Sequence, residues 1–231
     1  MNLTSIVIPT IDKESERVRR CLESIADNGR GTRYEALVVE DTEREGFAAT
    51  CNRGIAQARG AFVCLVNDDT VVYPGWLANM LAVMYAFPDV GLVGPVSDNV
   101  SGPQARLPIA GPVSQQVGRL VGFCLLIRRS VIDKIGGLDP SFGLNFEDDD
   151  YGLRAQSAGF KLRIALDSFV HHDCHATFTA LGIDGGATMA KAWPIFQRKW
   201  NAAAIPDGYR VEVPPFSRER CYVALPAVVR A

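Results

Sequence analysis

The sequence predicts an α/β protein, a Rossmann-like, mostly parallel sheet with helices on both faces, and three observations predict it. Short apolar runs alternate with segments of helical period from Ser5 to Gly94. The runs are continuously apolar, as strands covered on both faces are. Two of them, ending at Val39 and Val66, run into acidic or amide residues, at the strand ends where open α/β sheets bind their ligands.

Ser5-Ile6-Val7-Ile8-Pro9 is the first strand, closed by proline and followed by the polar Thr10-Ile11-Asp12-Lys13. From Lys13 to Asp27, Val18, Cys21, Leu22 and Ile25 recur at helical spacing, and Asn28-Gly29 ends that helix. Glu35 to Val39 is a second strand, running into Glu40-Asp41-Thr42. Gly46 to Gly60 carries Phe47, Cys51, Ile55 and Ala58 on one helical face. Ala61 to Val66 is the third strand, ending in Asn67-Asp68-Asp69-Thr70. A helix follows from Pro74, read as its first-turn proline, to about Phe87, with Trp76, Leu77, Met80, Leu81 and Met84 inward. Val90 to Gly94 is the fourth strand, and right-handed crossovers then give parallel pairing.

Pro95 to Gly118 has no sustained period and reads as a loop-rich insertion near the site. Val121 to Ile127 restores a buried strand, whose Gly122 marks a place of close approach by a ligand or backbone. Val131 to Ile135 is a short helix stopped by Gly136-Gly137, and a further helix runs from Tyr151 to Ala158. Lys161 to Val170 is one more strand. Lys191 to Trp200 suits either an aromatic segment beside a bound acceptor or a plain core helix. Asn201 onward is interrupted by proline, and no role is assigned to it. The domain reading is therefore residues 1–200 with a tail at 201–231.

With 231 residues, 48% of them hydrophobic, the chain can bury one large core. A net charge of -2 without a Lys/Arg cluster offers no surface for nucleic acid. The six cysteines form no Cys-x-x-Cys pair and read as small core residues in a reducing compartment. No apolar stretch has the length of a membrane span, and the amino terminus lacks signal-peptide features, so a cytoplasmic protein is expected.

Three clusters carry the chemistry. In Asn67-Asp68-Asp69 adjacent carboxylates repel unless a cation compensates them, and their oxygens suit a hard divalent ion; the same residues also suit a solvated turn that caps the next helix. Glu147-Asp148-Asp149-Asp150 opens a helix, where the positive helix end favours acids, and Phe146 beside them places Glu147 and Asp148 at a cleft edge, where a carboxylate can act as general base. The tract His171-His172-Asp173-Cys174-His175 holds every histidine of the chain. A zinc site made from it alone is possible, though its spacing fits no Cys/His pattern, and a site shared with Asp69 reads better.

In this order the motifs resemble the family 2 glycosyltransferases over about residues 4 to 178. The resemblance rests on Ser5 to Thr10, Asn52-Arg53-Gly54-Ile55 with Ala58-Arg59-Gly60, Asn67 to Thr70, Gly136-Gly137-Leu138-Asp139, Glu147-Asp148-x-Asp150 with Arg154, and His171-His172. It implies the GT-A fold and an inverting, rhamnosyltransferase-like enzyme acting on a nucleotide-diphosphate sugar and a carbohydrate or glycoconjugate acceptor. By position it implies a donor pocket of Thr10, Asp12, Glu40 or Asp41, Asn52, Asn67 and Asp68. It further implies Mn²⁺ or Mg²⁺ on Asp69, with Asp148 as base and Glu147 its acidic neighbour. Counting back from Thr177 selects His172 as the second metal ligand, and strand alternation points His171 the other way. Two departures stand out: Asn67 replaces the family's usual aspartate, and Cys51 stands where many relatives carry arginine. A nucleotide-sugar-binding module without catalysis is the runner-up, supported by Asn67.

Overall fold

The structure, a computed structural model, describes residues 2–173, 182, 184–205 and 208–228. In chain order its first half comprises β1 (Thr4–Thr10), α1 (Glu16–Asn28), β2 (Tyr34–Glu40), α2 (Phe47–Gln57), β3 (Phe62–Val66), β4 (Thr70–Val72), α3 (Trp76–Ala86) and β5 (Val90–Val96). The second half adds β6 (Ser114–Val117), β7 (Cys124–Arg128), α4 (Arg129–Ile135), α5 (Glu147–Ser157), β8 (Lys161–His172), α6 (Gly185–Trp200), β9 (Ala203–Ile205), β10 (Gly208–Arg210) and α7 (Arg218–Cys221).

The main sheet has the order β2-β1-β3-β7-β5-β8-β4, with β6 also on β8. Strands β1, β2, β3, β5 and β8 run one way and β4, β6 and β7 the other, which is the mostly parallel α/β sheet expected. Alternation along each strand divides the core between two faces. Val7, Val63 and Leu65 meet Ala48, Cys51 and Ile55 of α2, Ile132 of α4 and Tyr151 of α5 on one face. Ile6, Ile8, Cys64 and Val66 meet Cys21 and Ile25 of α1 and Trp76, Leu77 and Met80 of α3 on the other. This double coverage makes the strand sequences apolar throughout. Cys21, Cys51, Cys64, Cys124 and Cys221 are free and buried, the core role expected; Cys174, His175 and Thr177 lie outside the described residues.

Several local expectations change. Strand β7 is antiparallel and lies between β3 and β5, because a strand buried on both faces carries no sequence signal of its direction. The insertion after Pro95 contains β6, a polar edge strand whose Ser-Gln-Gln-Val has no continuous apolar run. Helix α3 begins at Trp76 after a left-handed Gly75, so Pro74 precedes the helix instead of opening it. Helix α5 begins at Glu147, so all four acids occupy its first turn, and β8 extends to His172. The segment after 200 packs back: Cys221 and Trp200 share a cluster with Phe142, Leu153 and Phe196, and Gly136 pairs with Val223.

Candidate active site

A cleft of about 1010 Å³ opens along the carboxyl ends of β1, β2, β3 and β8, beside the start of the antiparallel β7 and the start of α5. The register explains the convergence. Val66 pairs with Cys124 and Asn67 N donates to Phe123 O at 2.9 Å, so the end of β3 and the loop before β7 share one edge. Thr70 pairs with His172, which sets the end of β8 beside the acidic turn.

The turn itself is well buried: Asp68 is 5% and Asp69 7% exposed. Asp68 Oδ2 accepts from Thr10 Oγ1 at 2.7 Å and lies 3.7 Å from Arg17 Nη2. Burial pushes the Asp68 carboxyl up, Thr10 and Arg17 pull it down, and the charge of Asp69 pushes it up again. Asp69 Oδ1 faces His172 Nε2 at 3.2 Å, and His172 stacks on Phe123 at 5.2 Å between ring centroids. His171 points away, with Nδ1 on Asp98 and Nε2 on Asp173, as strand alternation requires.

On the acidic turn and the end of β8, Asn67 Oδ1, Asp69 Oδ1 and His172 Nδ1 are buried without a hydrogen-bond partner. Buried polar groups are normally satisfied, so such atoms suit a ligand that completes them. Among the described residues no three His, Cys, Asp or Glu side chains converge as a metal cage. Asp69 and His172 alone still fit a small divalent cation, which commonly takes one or two protein ligands and completes its shell with phosphate and water. Their 3.2 Å separation is close to the roughly 3 Å between neighbouring ligands of an octahedral ion with bonds of about 2.1 Å.

Across the cleft, the four acids of α5 occupy four environments. Asp150 is fully buried and held by Arg154 Nε at 2.7 Å, Lys199 Nζ at 2.8 Å and Trp200 Nε1 at 2.9 Å, so it braces the helix from beneath. Asp149 faces Arg119, whose Nε lies 3.2 Å away. Burial and the neighbouring Asp148 charge push Asp149 up, while Arg119 and Tyr209 oppose the shift. Glu147 is driven upward by burial and then by Asp148. Asp148 is also raised by burial, against the pull of two N–H groups, Gly122 N on Oδ2 at 2.8 Å and Asp149 N on Oδ1 at 2.7 Å. Phe146, in a left-handed conformation at φ 67, turns the chain into this helix and stacks on Phe196 at 4.8 Å.

The structure thus brings Thr10, Asp41, Asn67, Asp68, Asp69, Glu147, Asp148 and His172 to one cleft. It leaves Asp12, Glu40 and Asn52 outside its lining. Asp12 is exposed and accepts from Glu14 N at 3.0 Å. Glu40 turns to Lys13. Asn52 donates to Leu138 O and accepts from Leu138 N, both at 2.8 Å, which spends its amide on joining α2 to the Gly136-Gly137-Leu138 turn. Gly137 is required there, since a Cβ would lie 2.1 Å from Asn52 Oδ1. Of the two acids ending β2, Asp41 is the one in the cleft, and it accepts from Glu45 N and Gly46 N, shaping the loop that carries Arg44 and Phe47 to the wall.

Sequence reasoning passes over Arg44, Thr50, Arg119, Asp149, Met189 and Tyr209 of that lining, whereas Trp193 belongs to the aromatic segment it set either beside an acceptor or in a core helix. A signal existed for Asp149, which continues an acidic run. None exists for Tyr209, which a proline-interrupted segment delivers from far along the chain.

Comparison with known proteins gives this arrangement a context. Residues 2–184 match the model of the family described as "Glycosyltransferase like family 2". The protein y4gI of Sinorhizobium fredii is 29% identical over 213 residues, covering 68% of this chain and 23% of y4gI. An N-acetylglucosaminyl-diphospho-decaprenol L-rhamnosyltransferase of Mycobacterium tuberculosis is 28% identical over 175 residues, 57% of either chain. The chain therefore spans just over half of one relative and under a quarter of the other. The mannosyltransferase PcManGT of Pyrobaculum calidifontis, solved with GDP-Man and Mn²⁺, shares the fold with a TM-score of 0.59 at 17% identity, over 83% of this chain and 69% of that one. No helix among the described residues is long and apolar enough to cross a membrane.

Proposed function

The chain belongs to the glycosyltransferase-like family 2, and from that premise we propose that it moves a sugar from a nucleotide-diphosphate donor to an acceptor hydroxyl, with inversion and with help from a divalent cation. The observation that carries this reading is the placement of Asp148, backed by Gly122 N, in the same cleft as Asp69 and His172. Thr10 and Asp41 stand at the strand ends where the nucleoside would lie. Asp69 and His172 would hold Mn²⁺ or Mg²⁺ beside the diphosphate. When bound, the ion offsets the charge that grows on the leaving diphosphate.

In this reading Asp148 takes the acceptor proton on whichever carboxylate oxygen the hydroxyl reaches. Burial raises its basicity, and the two N–H bonds hold its orientation without quenching it. Ionising all four acids of one helical turn would be prohibitively repulsive. Asp150 is neutralised by Arg154 and Lys199, Asp149 faces Arg119, and the rise at Glu147 favours its protonated form. Asp148 is left as the base.

The mycobacterial relative's name supports a deoxyhexose donor and a role in polysaccharide or glycoconjugate synthesis. The buried free thiols and the nucleotide-sugar donor support a cytoplasmic reaction. We assign residues 1–200 to the transferase domain, and the segment at 201–231 adds Tyr209 to the cleft wall. Asp148→Asn tests the mechanism: donor affinity should hold while turnover falls by roughly two to four orders of magnitude. Near-normal turnover in that variant would remove Asp148 from the role of base.

A further inference from the structure

The acidic turn has a second neighbour, on the side of α1. Arg17, a residue of α1, places Nη2 3.7 Å from Asp68 Oδ2, the oxygen that also accepts from Thr10. Its Nε is buried without a hydrogen-bond partner, so the guanidinium is turned inward although the side chain is 22% exposed. Arg17 does not line the main cleft; it lines a small crevice against the same turn, with Arg20, Asp68, Asp69, Thr70, Val71 and Asp173. A donor molecule in the cleft therefore meets Asp68 and Asp69 but not Arg17.

Two adjacent buried carboxylates need compensation, and here it is divided between them. Thr10 and Arg17 engage Asp68, whereas Asp69 Oδ1 has only the His172 ring before it and no hydrogen bond. We propose that Arg17 is a positioning residue, a built-in counter-charge that occupies Asp68 and leaves Asp69 as the carboxylate presented to the cation. This rests on the cation reading above and goes beyond it by dividing the two aspartates between roles. It also accounts for Asn67: a third carboxylate in this turn would have no second arginine to balance it, since the next one, Arg20, pairs with Asp173 at 3.4 Å.

The consequence is a charge balance that experiment can read. Removing one positive charge several ångström from the cation changes ion affinity by roughly three- to thirtyfold at an intermediate dielectric. Arg17→Met keeps most of the apolar stem and frees the Asp68 charge. Mn²⁺ alone should then bind about three- to thirtyfold more tightly by calorimetry. Inorganic pyrophosphate without metal should bind correspondingly more weakly. Adding Asp68→Asn to Arg17→Met should return both affinities to near wild type, and Arg17→Lys should leave both little changed.

A purely structural role predicts that both ligands weaken together. That result, or Mn²⁺ affinity equal to wild type in a folded Arg17→Met protein, overturns the proposal. Should Arg17→Met fail to fold, Asp68→Asn is compared with the double variant Arg17→Met/Asp68→Asn: the single change leaves the Arg17 charge unbalanced and should weaken Mn²⁺ binding about three- to thirtyfold, the double change should return it to within about threefold of wild type, and a double variant that stays weaker than that makes Asp68 a ligand and overturns the proposal. If the wild type binds no Mn²⁺, the cation reading itself fails. The pyrophosphate measurement then decides for Arg17: weakening in Arg17→Met that Asp68→Asn repairs supports the counter-charge, and no weakening overturns it.

Discussion

Adding one methyl group at Gly122 should slow catalysis without touching the donor. A Cβ built on Gly122 lies 3.1 Å from Asp148 Cβ, tighter than most real contacts, and 3.4 Å from its Oδ2, so Asp148 or the loop before β7 must yield by a few tenths of an ångström. The same shift strains the 2.8 Å bond from Gly122 N to Asp148 Oδ2. A hydrogen bond to a charged group contributes about 1.5–3 kcal/mol in full, and a 1 Å misplacement of a reacting group can cost about a hundredfold. A partial loss of each raises the barrier by about 1–2 kcal/mol, or roughly five- to thirtyfold in kcat. The assay pairs initial rates of donor hydrolysis and transfer with calorimetric donor affinity, the latter expected within about twofold of wild type because the added methyl meets only Asp148. A Gly122→Ala enzyme with wild-type kcat would show that Asp148 is not held by this contact during turnover.

Two further outcomes concern metal and pH. His172→Ala should weaken Mn²⁺ binding in the presence of nucleotide whereas His171→Ala should not, since His171 turns to Asp98 and Asp173; the reverse pattern in a metal titration would transfer the ligand to His171. Glu147→Gln should raise the Tm of the metal-free protein increasingly from about pH 5 to 8. A carboxyl whose folded pKa is raised gives its full stability below its unfolded pKa and loses it as pH rises through the folded value, a loss that glutamine does not suffer. A Tm difference that stays flat or shrinks with pH in that range would contradict a raised Glu147 carboxyl.

What the sequence reveals follows from how local each cause is. The alternating strands and helices of residues 4–96 are written in short-range periodicity, and the ends of β1, β2 and β3 carry their polar residues beside the strand that presents them. That His171 and His172 face opposite sides of β8 is legible for the same reason, because alternation along one strand requires it. Direction and distance are not legible. Nothing in Cys124 to Arg128 says that β7 runs against its neighbours. Asn52 looks like a ligand-binding amide because its partner, Leu138, is 86 residues away. Asp150 and Asp148 are indistinguishable in the run Glu-Asp-Asp-Asp until Arg154, Lys199 and Trp200 are seen to surround the first and Gly122 the second.

The central claim, that a nucleotide sugar binds here through a divalent ion on Asp69, is tested most directly by thermal shift. UDP-, GDP- and dTDP-sugars are titrated with and without Mn²⁺ against the wild type and Asp69→Ala. A ligand that binds only the folded state raises Tm, by the equivalent of about 2.7 kcal/mol at a hundredfold excess over Kd. The account predicts that at least one nucleotide sugar raises the Tm of the wild type in the presence of Mn²⁺, and that this gain is lost without Mn²⁺ and in Asp69→Ala. Equal gains with and without Mn²⁺, or an Asp69→Ala protein that keeps the Mn²⁺-dependent gain, would contradict it.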